Sequence, residues 1–158
     1  VLSLLLIDLD HFKHVNDTQG HLVGDDVLRE IARLLSSAVR SVDLVARYGG
    51  EEFVVLLLDT DYERAMVIAE KLRELVSTHP FPYASDQPLG HVSVSVGVSV
   101  WPDHGATPEA LVAAADQALY AAKRFGRDVV VAAHERGGVG DEGDDGTEAD
   151  DDGKEGDA

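Results

Sequence analysis

The chain has 158 residues, enough for one domain, with a formal net charge of −17 and no cysteine. Disulfides and thiolate metal sites are excluded, and the lack of cysteine fits a reducing cytoplasm, the expected location. So acidic a chain is a poor partner for duplex nucleic acid, whose binding rests on lysine and arginine neutralising phosphates.

The opening apolar run is too short to span a bilayer and lacks the basic flank of a signal peptide, so it predicts a strand over residues 2–9. Residues 11–18 read as a short helix closing at Gly20, and 25–41 as a longer one with Leu28, Ile31, Leu35 and Ala38 at helical spacing and Asp25 and Asp26 near its positive end. Strands at 43–48 and 53–58 flank Gly49-Gly50, which reads as a tight hairpin turn because such turns need the positive φ that glycine reaches freely. Thr60 and Glu63 match a capping box for a helix carrying Ala65, Ile68, Leu72 and Leu75 on one stripe, ending near Thr78 before Pro80. After a proline-containing loop over 79–91, residues 92–100 alternate valine with serine or glycine, giving one valine face and one small-residue face that lets backbone or ligand approach closely. Thr107-Pro108 opens a last helix, with Lys123 and Arg124 at its negative end before Gly126, and 128–133 supplies a final strand.

Residues 135–158 hold 11 acids and 2 bases with almost no apolar side chains, against 19 acids and 11 bases in 1–134. The expected organisation is therefore a folded domain over 1–134 and an acidic disordered tail over 135–158. The order β-α-α-β-β-α-β-α-β, without internal repeat, predicts an α+β fold: one mainly antiparallel five-stranded sheet flanked by helices.

The chemistry concentrates where strands end. Neighbouring strand residues point to opposite faces, so Glu51 and Glu52 cannot share one solvated face. Asp8 and Asp10 close another apolar strand, and carboxylates brought together at such ends repel by roughly 4 kcal/mol per close pair at an effective dielectric near 20. A divalent cation removes that cost, and an all-oxygen donor set suits magnesium. His11 and His14 lie three apart on the first predicted helix, but no acidic or cysteine partner is spaced for a closed zinc site.

Together these stretches resemble the GGDEF family of diguanylate cyclases, here with Gly49-Gly50-Glu51-Glu52-Phe53 as its signature. The resemblance spans about residues 3 to 132 and rests on Asp8-Leu9-Asp10-His11-Phe12-Lys13, Asn16-Asp17, Gly20-His21, Gly24-Asp25, Arg47-Tyr48 with the signature, Ser95-Val96-Gly97-Val98, Ala115-Asp116-Gln117-Ala118-Leu119-Tyr120-Ala121-Ala122-Lys123 and Gly126-Arg127. It implies a ferredoxin-like, palm-type nucleotidyl cyclase core that condenses two GTP into cyclic di-GMP and pyrophosphate. Asp8, the Leu9 carbonyl and Glu51 match metal ligands for Mg2+, with Mn2+ as an alternative, and Glu52 matches a contributor to a second ion. Glu51 is also the implied general base and Lys13 a catalytic cation. Lys13, Lys123 and Arg127 match phosphate-binding positions, Phe12, Gly49 and Gly50 line the substrate, and Asn16 and Asp25 match readers of guanine.

Arg40 and Asp43 match the family's allosteric product-inhibition site. One GTP per domain makes a homodimer necessary for catalysis. His11 stands where the family often has an aromatic residue. The family's preceding helical segment, with an Asp-x-Leu-Thr-Gly-Leu-x-Asn-Arg-Arg type motif, has no counterpart here. The chain is accordingly expected to be N-terminally truncated, with an upstream sensory or receiver domain supplying control and no membrane segment in the chain itself. The competing readings are a catalytically silent receptor for GTP or cyclic di-GMP and a cyclase making a mononucleotide product.

Overall fold

Strand β1 (Leu2–Leu9) is apolar along nearly its whole length because it is buried on both faces. The computed structural model describes residues 1–134, and the tail expected over 135–158 lies outside the described residues. In chain order β1 is followed by α1 (Phe12–Gln19), α2 (His21–Ala38), β2 (Leu44–Arg47), β3 (Glu52–Leu58), α3 (Tyr62–Thr78), β4 (Val94–Trp101), α4 (Pro108–Arg124) and β5 (Val130–Ala132), with a single 3-10 turn at Ala84–Asp86. The strands form one sheet in the order β2-β3-β1-β4-β5, antiparallel except for the β4–β5 pair. This is the mainly antiparallel five-stranded α+β arrangement that the order of elements predicts.

One face of β1 presents Leu5, Ile7 and Leu9 to a core shared with Val27, Ile31 and Leu35 of α2 and Ala69, Leu72 and Val76 of α3. The other presents Leu4 and Leu6 to Leu111, Ala115 and Leu119 of α4. Each fully buried aliphatic side chain contributes about 1.5–3 kcal/mol, so β1 anchors both layers and its end, where Asp8 sits, is fixed from two sides. The small-residue face of β4 receives helix backbone: a Cβ built on Gly97 would stand 2.1 Å from the Ala115 carbonyl oxygen and 2.4 Å from the Leu119 nitrogen. Ser99 Oγ donates to the Leu111 carbonyl at 2.8 Å, tying the same helix to the same strand.

Several boundaries move for identifiable reasons. Helix α2 starts at His21, not at 25, because Gly24 is an interior helical residue, and Gly20 (φ 86°) serves as the joint between α1 and α2. Asp25 and Asp26 therefore lie past the first turn. Helix α3 is capped by Asp61, whose carboxylate accepts from Arg64 N–H at 3.0 Å; Thr60, one residue earlier, is buried and donates to the Leu58 carbonyl. The capping-box reading was thus displaced by one residue in favour of the stronger acceptor. Strand β5 is shorter than expected because Arg127 and Asp128 both adopt left-handed backbone, at φ 69° and 48°.

Candidate active site

Asp8 lies at the end of β1 with Glu52 as its cross-strand partner on one side and Ser95 on the other. By alternation it shares a face with Leu4 and Leu6, the face that α4 covers. Its side chain is 7% exposed and meets the Lys123 ammonium at 3.1 Å. Burial dominates over this partner: loss of hydration, with smaller repulsion from Glu51 and Glu52, lifts the Asp8 pKa from an ordinary 3.8 to about 6 despite the attraction of Lys123. The ionised carboxylate is therefore under-compensated.

The backbone beside it is oriented as well. Leu9 N–H donates to the Glu51 carbonyl at 3.1 Å, towards β3, while Asp10 N–H donates to the Ser93 carbonyl at 3.0 Å, towards β4. Because a trans peptide sets its C=O opposite its N–H, the Leu9 carbonyl is directed to the hairpin side, next to Glu51. Asp8, Glu51, Glu52 and the Leu9 carbonyl thus supply only oxygen at one end of the sheet, a donor set that fits magnesium or manganese. Among the described residues, no three His, Asp or Glu side chains converge closely enough to enclose an ion by themselves.

The hairpin differs from the tight turn read in the sequence. Arg47 pairs with Phe53, leaving a wider loop in which Tyr48 N–H and Gly49 N–H both donate to the Glu52 carbonyl, at 2.8 and 3.2 Å. Neither Gly49 nor Gly50 has positive φ. A Cβ on Gly49 would stand 2.8 Å from the Glu52 carboxylate, the movable end of a flexible side chain, and one on Gly50 would project into open space, so the protein's own packing demands glycine at neither position. The Arg47 guanidinium holds the loop by donating to the Gly49 and Gly50 carbonyls at 3.1 and 2.6 Å. Arg47 also lines a cavity of about 240 Å³ between α2 and the hairpin, together with Asp25, Leu28, Arg29 and Phe53.

At the start of α1, His11 occupies the cap position with φ 54° and offers no side-chain cap, so the first helical N–H groups, from Phe12 and Lys13, stay open to an anion. The Phe12 ring is buried in the core, leaving its backbone as what it presents outward. Lys13 is extended and largely exposed, 3.8 Å from Asp17. Asn16 is the telling residue of this helix: its Oδ1 is buried with no hydrogen-bond partner, an expensive state that a ligand donor would relieve. Room for it exists only because residue 24 is glycine, since a Cβ there would stand 2.0 Å from Asn16 Oδ1.

A profile of the family described as "Diguanylate cyclase, GGDEF domain" matches residues 1–129. The chain belongs to the GGDEF diguanylate cyclase family. It is 52% identical over 130 residues to the response regulator PleD of Caulobacter vibrioides, covering 82% of this chain and 29% of that protein. It is 43% identical over 129 residues to diguanylate cyclase A of Treponema denticola, covering 82% and 34%. The chain thus spans about a third of the length of these curated relatives. Among solved structures it resembles the active GGEEF domain of a diguanylate cyclase from Vibrio cholerae, at 36% identity and a TM-score of 0.76 over 85% of this chain and 83% of that one. It also resembles the GGDEF domain of DgcB from Caulobacter crescentus, solved in complex with c-di-GMP, at 35% identity and a TM-score of 0.74 over 83% and 77%. The sheet and its flanking helices are those of the palm-like nucleotidyl cyclase fold.

Within this GGDEF domain, the structure gathers Asp8, Leu9, Glu51, Glu52 and Lys123 at one end of the sheet, with Arg127 just beyond on the loop into β5. Arg40 and Asp43 lie elsewhere, on the segment from α2 to β2. The Asp43 side chain is 1% exposed and accepts four hydrogen bonds, from Arg40 Nε, Nη2 and N–H and from Leu58 N–H. These bonds hold its carboxyl below the usual carboxylate range. These four bonds engage both oxygens of the buried Asp43 carboxylate, which in turn fixes the Arg40 guanidinium. Three residues acquire roles that sequence reasoning did not assign: Arg47 as the hairpin brace, Gly24 as the clearance for Asn16, and Asp10, discussed below. Of these only Gly24 left a signal, because an interior helical glycine costs about 1 kcal/mol and needs a reason. No helix among the described residues is long and apolar enough to cross a membrane.

The Gly24 contact yields a direct expectation. Gly24→Ala should fold, since alanine favours helix, but displace the Asn16 amide and weaken GTP binding by about tenfold, roughly 1.4 kcal/mol. Titration calorimetry checks it; unchanged affinity would remove Asn16 from the nucleotide site.

Proposed function

We propose that this domain is a diguanylate cyclase that works as a homodimer, each copy holding one GTP, and releases cyclic di-GMP and pyrophosphate. The observation carrying the reading is the buried, under-compensated Asp8 carboxylate that shares its sheet end with Glu51, Glu52 and the Leu9 carbonyl and touches Lys123. Each ribose 3′-oxygen forms a bond to the α-phosphorus of the other GTP while the bond from that phosphorus to pyrophosphate breaks. Glu51 takes the hydroxyl proton. Asn16 and Asp25 read the guanine edge, supported by the unpartnered Asn16 Oδ1 and by Asp25 lining the cavity beside α2.

Magnesium, or manganese with the same donor preference, would be held by Asp8, the Leu9 carbonyl and Glu51, with Glu52 on a second ion, and when bound it neutralises charge on the phosphates. Lys123, one-third exposed, is then free to leave Asp8 for those phosphates. Arg127, Lys13 and the open N–H groups of α1 take up the charge of the departing pyrophosphate. Gly50 keeps a side chain from blocking the approach of nucleotide to the hairpin. The site lies in the cytoplasm, where GTP is available, under the control of an upstream sensory or receiver domain.

Incubation with GTP and magnesium, followed by mass identification of products, tests the reading. Cyclic di-GMP is expected; bound but unreacted GTP would indicate a silent receptor, and a mononucleotide product a different cyclase. Product inhibition is proposed to act through Arg40, held in place by Asp43. Arg40→Ala should raise the cyclic di-GMP concentration needed for half-inhibition by about tenfold. It should also lower the Tm by several degrees, because the buried Asp43 loses its ion-pair partner. Inhibition curves for the two proteins decide the point, and superimposable curves would refute it.

A further inference from the structure

Asp10 is 6% exposed and plays no part in the chemistry described so far. Both of its carboxylate oxygens are committed: Oδ1 accepts from Ser95 Oγ at 2.6 Å, and Oδ2 from Ser93 Oγ at 2.7 Å and Asp128 N–H at 3.0 Å. Ser93 immediately precedes β4 and Ser95 lies at its start. The third donor belongs to a pair of consecutive non-glycine residues in left-handed backbone, Arg127 and Asp128. Such a pair is unfavourable for L-residues and persists only where its surroundings fix it.

Asp128 is tied from two further elements, its carboxylate accepting from Arg73 of α3 at 2.6 Å and from His91, on the loop before β4, at 2.8 Å. Arg127 N–H closes back onto the Ala122 carbonyl at 3.2 Å. The sheet register sets the level of this loop. Val130 pairs with Val96, and Val96 with Ile7, so residues 127–128 pass the sheet end beyond Asp8, where Lys123 also arrives. The exposed Arg127 side chain is therefore launched from a backbone that Asp10 pins through the Asp128 N–H.

We propose that Asp10 is a positioning residue for the phosphates, which by capturing the Asp128 N–H fixes the left-handed Arg127–Asp128 pair and so the reach of Arg127. The proposal rests on the reading of this site as a GTP site. Asp10 and Asp8 thus divide the labour of the strand end: one carboxylate is left under-compensated for a cation, and the other is saturated to hold a loop.

The test is Asp10→Asn in the full chain, which keeps shape but replaces one acceptor oxygen by a donor. We expect KM for GTP to rise about tenfold with kcat within about threefold, and inorganic triphosphate to bind about tenfold more weakly by calorimetry. Hydrogen exchange at the Asp128 amide should accelerate at least about tenfold while amides of central β1 stay protected. Arg127→Ala should cost about tenfold in triphosphate affinity in the native background and less than about twofold on top of Asp10→Asn, the non-additivity of two residues acting through one contact. Additive losses, or unchanged KM and triphosphate affinity, overturn the proposal. If Asp10→Asn does not fold, Ser93→Ala, which removes only the hydroxyl sharing Oδ2 with Asp128 N–H, should still raise KM two- to threefold by order of magnitude; no rise overturns the proposal. Failure of the native protein to bind GTP or triphosphate overturns the reading of the site itself.

Discussion

Replacing Asp8 by asparagine should abolish cyclic di-GMP synthesis, by on the order of 10³-fold, while making the metal-free protein more stable at pH 8. The two effects share one cause. The Asp8 carboxyl has a folded pKa of about 6 against an ordinary 3.8 because burial removes hydration that Lys123 only partly replaces. A carboxyl whose pKa is higher in the folded state binds more protons there than in the unfolded chain between pH 4 and pH 6. Stability therefore falls as pH rises through that window and stays low above it, by up to about 3 kcal/mol. The asparagine amide carries no charge to desolvate, and Lys123, one-third exposed, rehydrates when its partner is removed. Allowing for the buried amide, a net gain of about 1–2 kcal/mol remains, a rise in Tm of roughly 3–6 °C. At pH 4 the native side chain is already protonated in the fold, and the difference should vanish. Thermal unfolding of both proteins in chelator at pH 4 and pH 8 measures this directly. A lower Tm for Asp8→Asn at pH 8, or preserved synthesis, would show that Asp8 is an ordinary structural carboxylate.

The largest loss of stability should come from Gly97→Ala, a change of one methyl group. The added Cβ would meet two backbone atoms of α4, the Ala115 carbonyl oxygen at 2.1 Å and the Leu119 nitrogen at 2.4 Å, neither of which can turn aside as a side chain could. The helix must lift from the sheet, with a cost of about 3 kcal/mol or more. Because α4 also carries Lys123, the displacement draws the ammonium away from Asp8, and synthesis should fall by more than the loss of folded protein explains. Denaturant unfolding, with activity normalised to the folded fraction, separates the two. A loss below 1 kcal/mol would mean that α4 and β4 pack more loosely than these distances show.

The largely apolar run of β1, the valine alternation of β4 and the stripes of α2, α3 and α4 determine an α+β sheet with helices, because burial on one or two faces writes its own period into the chain. The oxygen-rich strand ends, the bases at the positions of Lys13, Lys123 and Arg127 and the resemblance carried by the motif blocks were legible for the same local reason: each is a residue type at a fixed offset. What the sequence could not decide was which polar group meets which across the fold. Lys123 touching Asp8, 115 residues away in the chain, Asp10 holding the backbone of Asp128, Arg40 saturating Asp43, and Gly24 making room for Asn16 all depend on strand register and helix docking. Hydrophobic pattern is a property of neighbours along the chain, whereas ion pairing and steric clearance belong to neighbours in space, and only the packed tertiary structure assigns those.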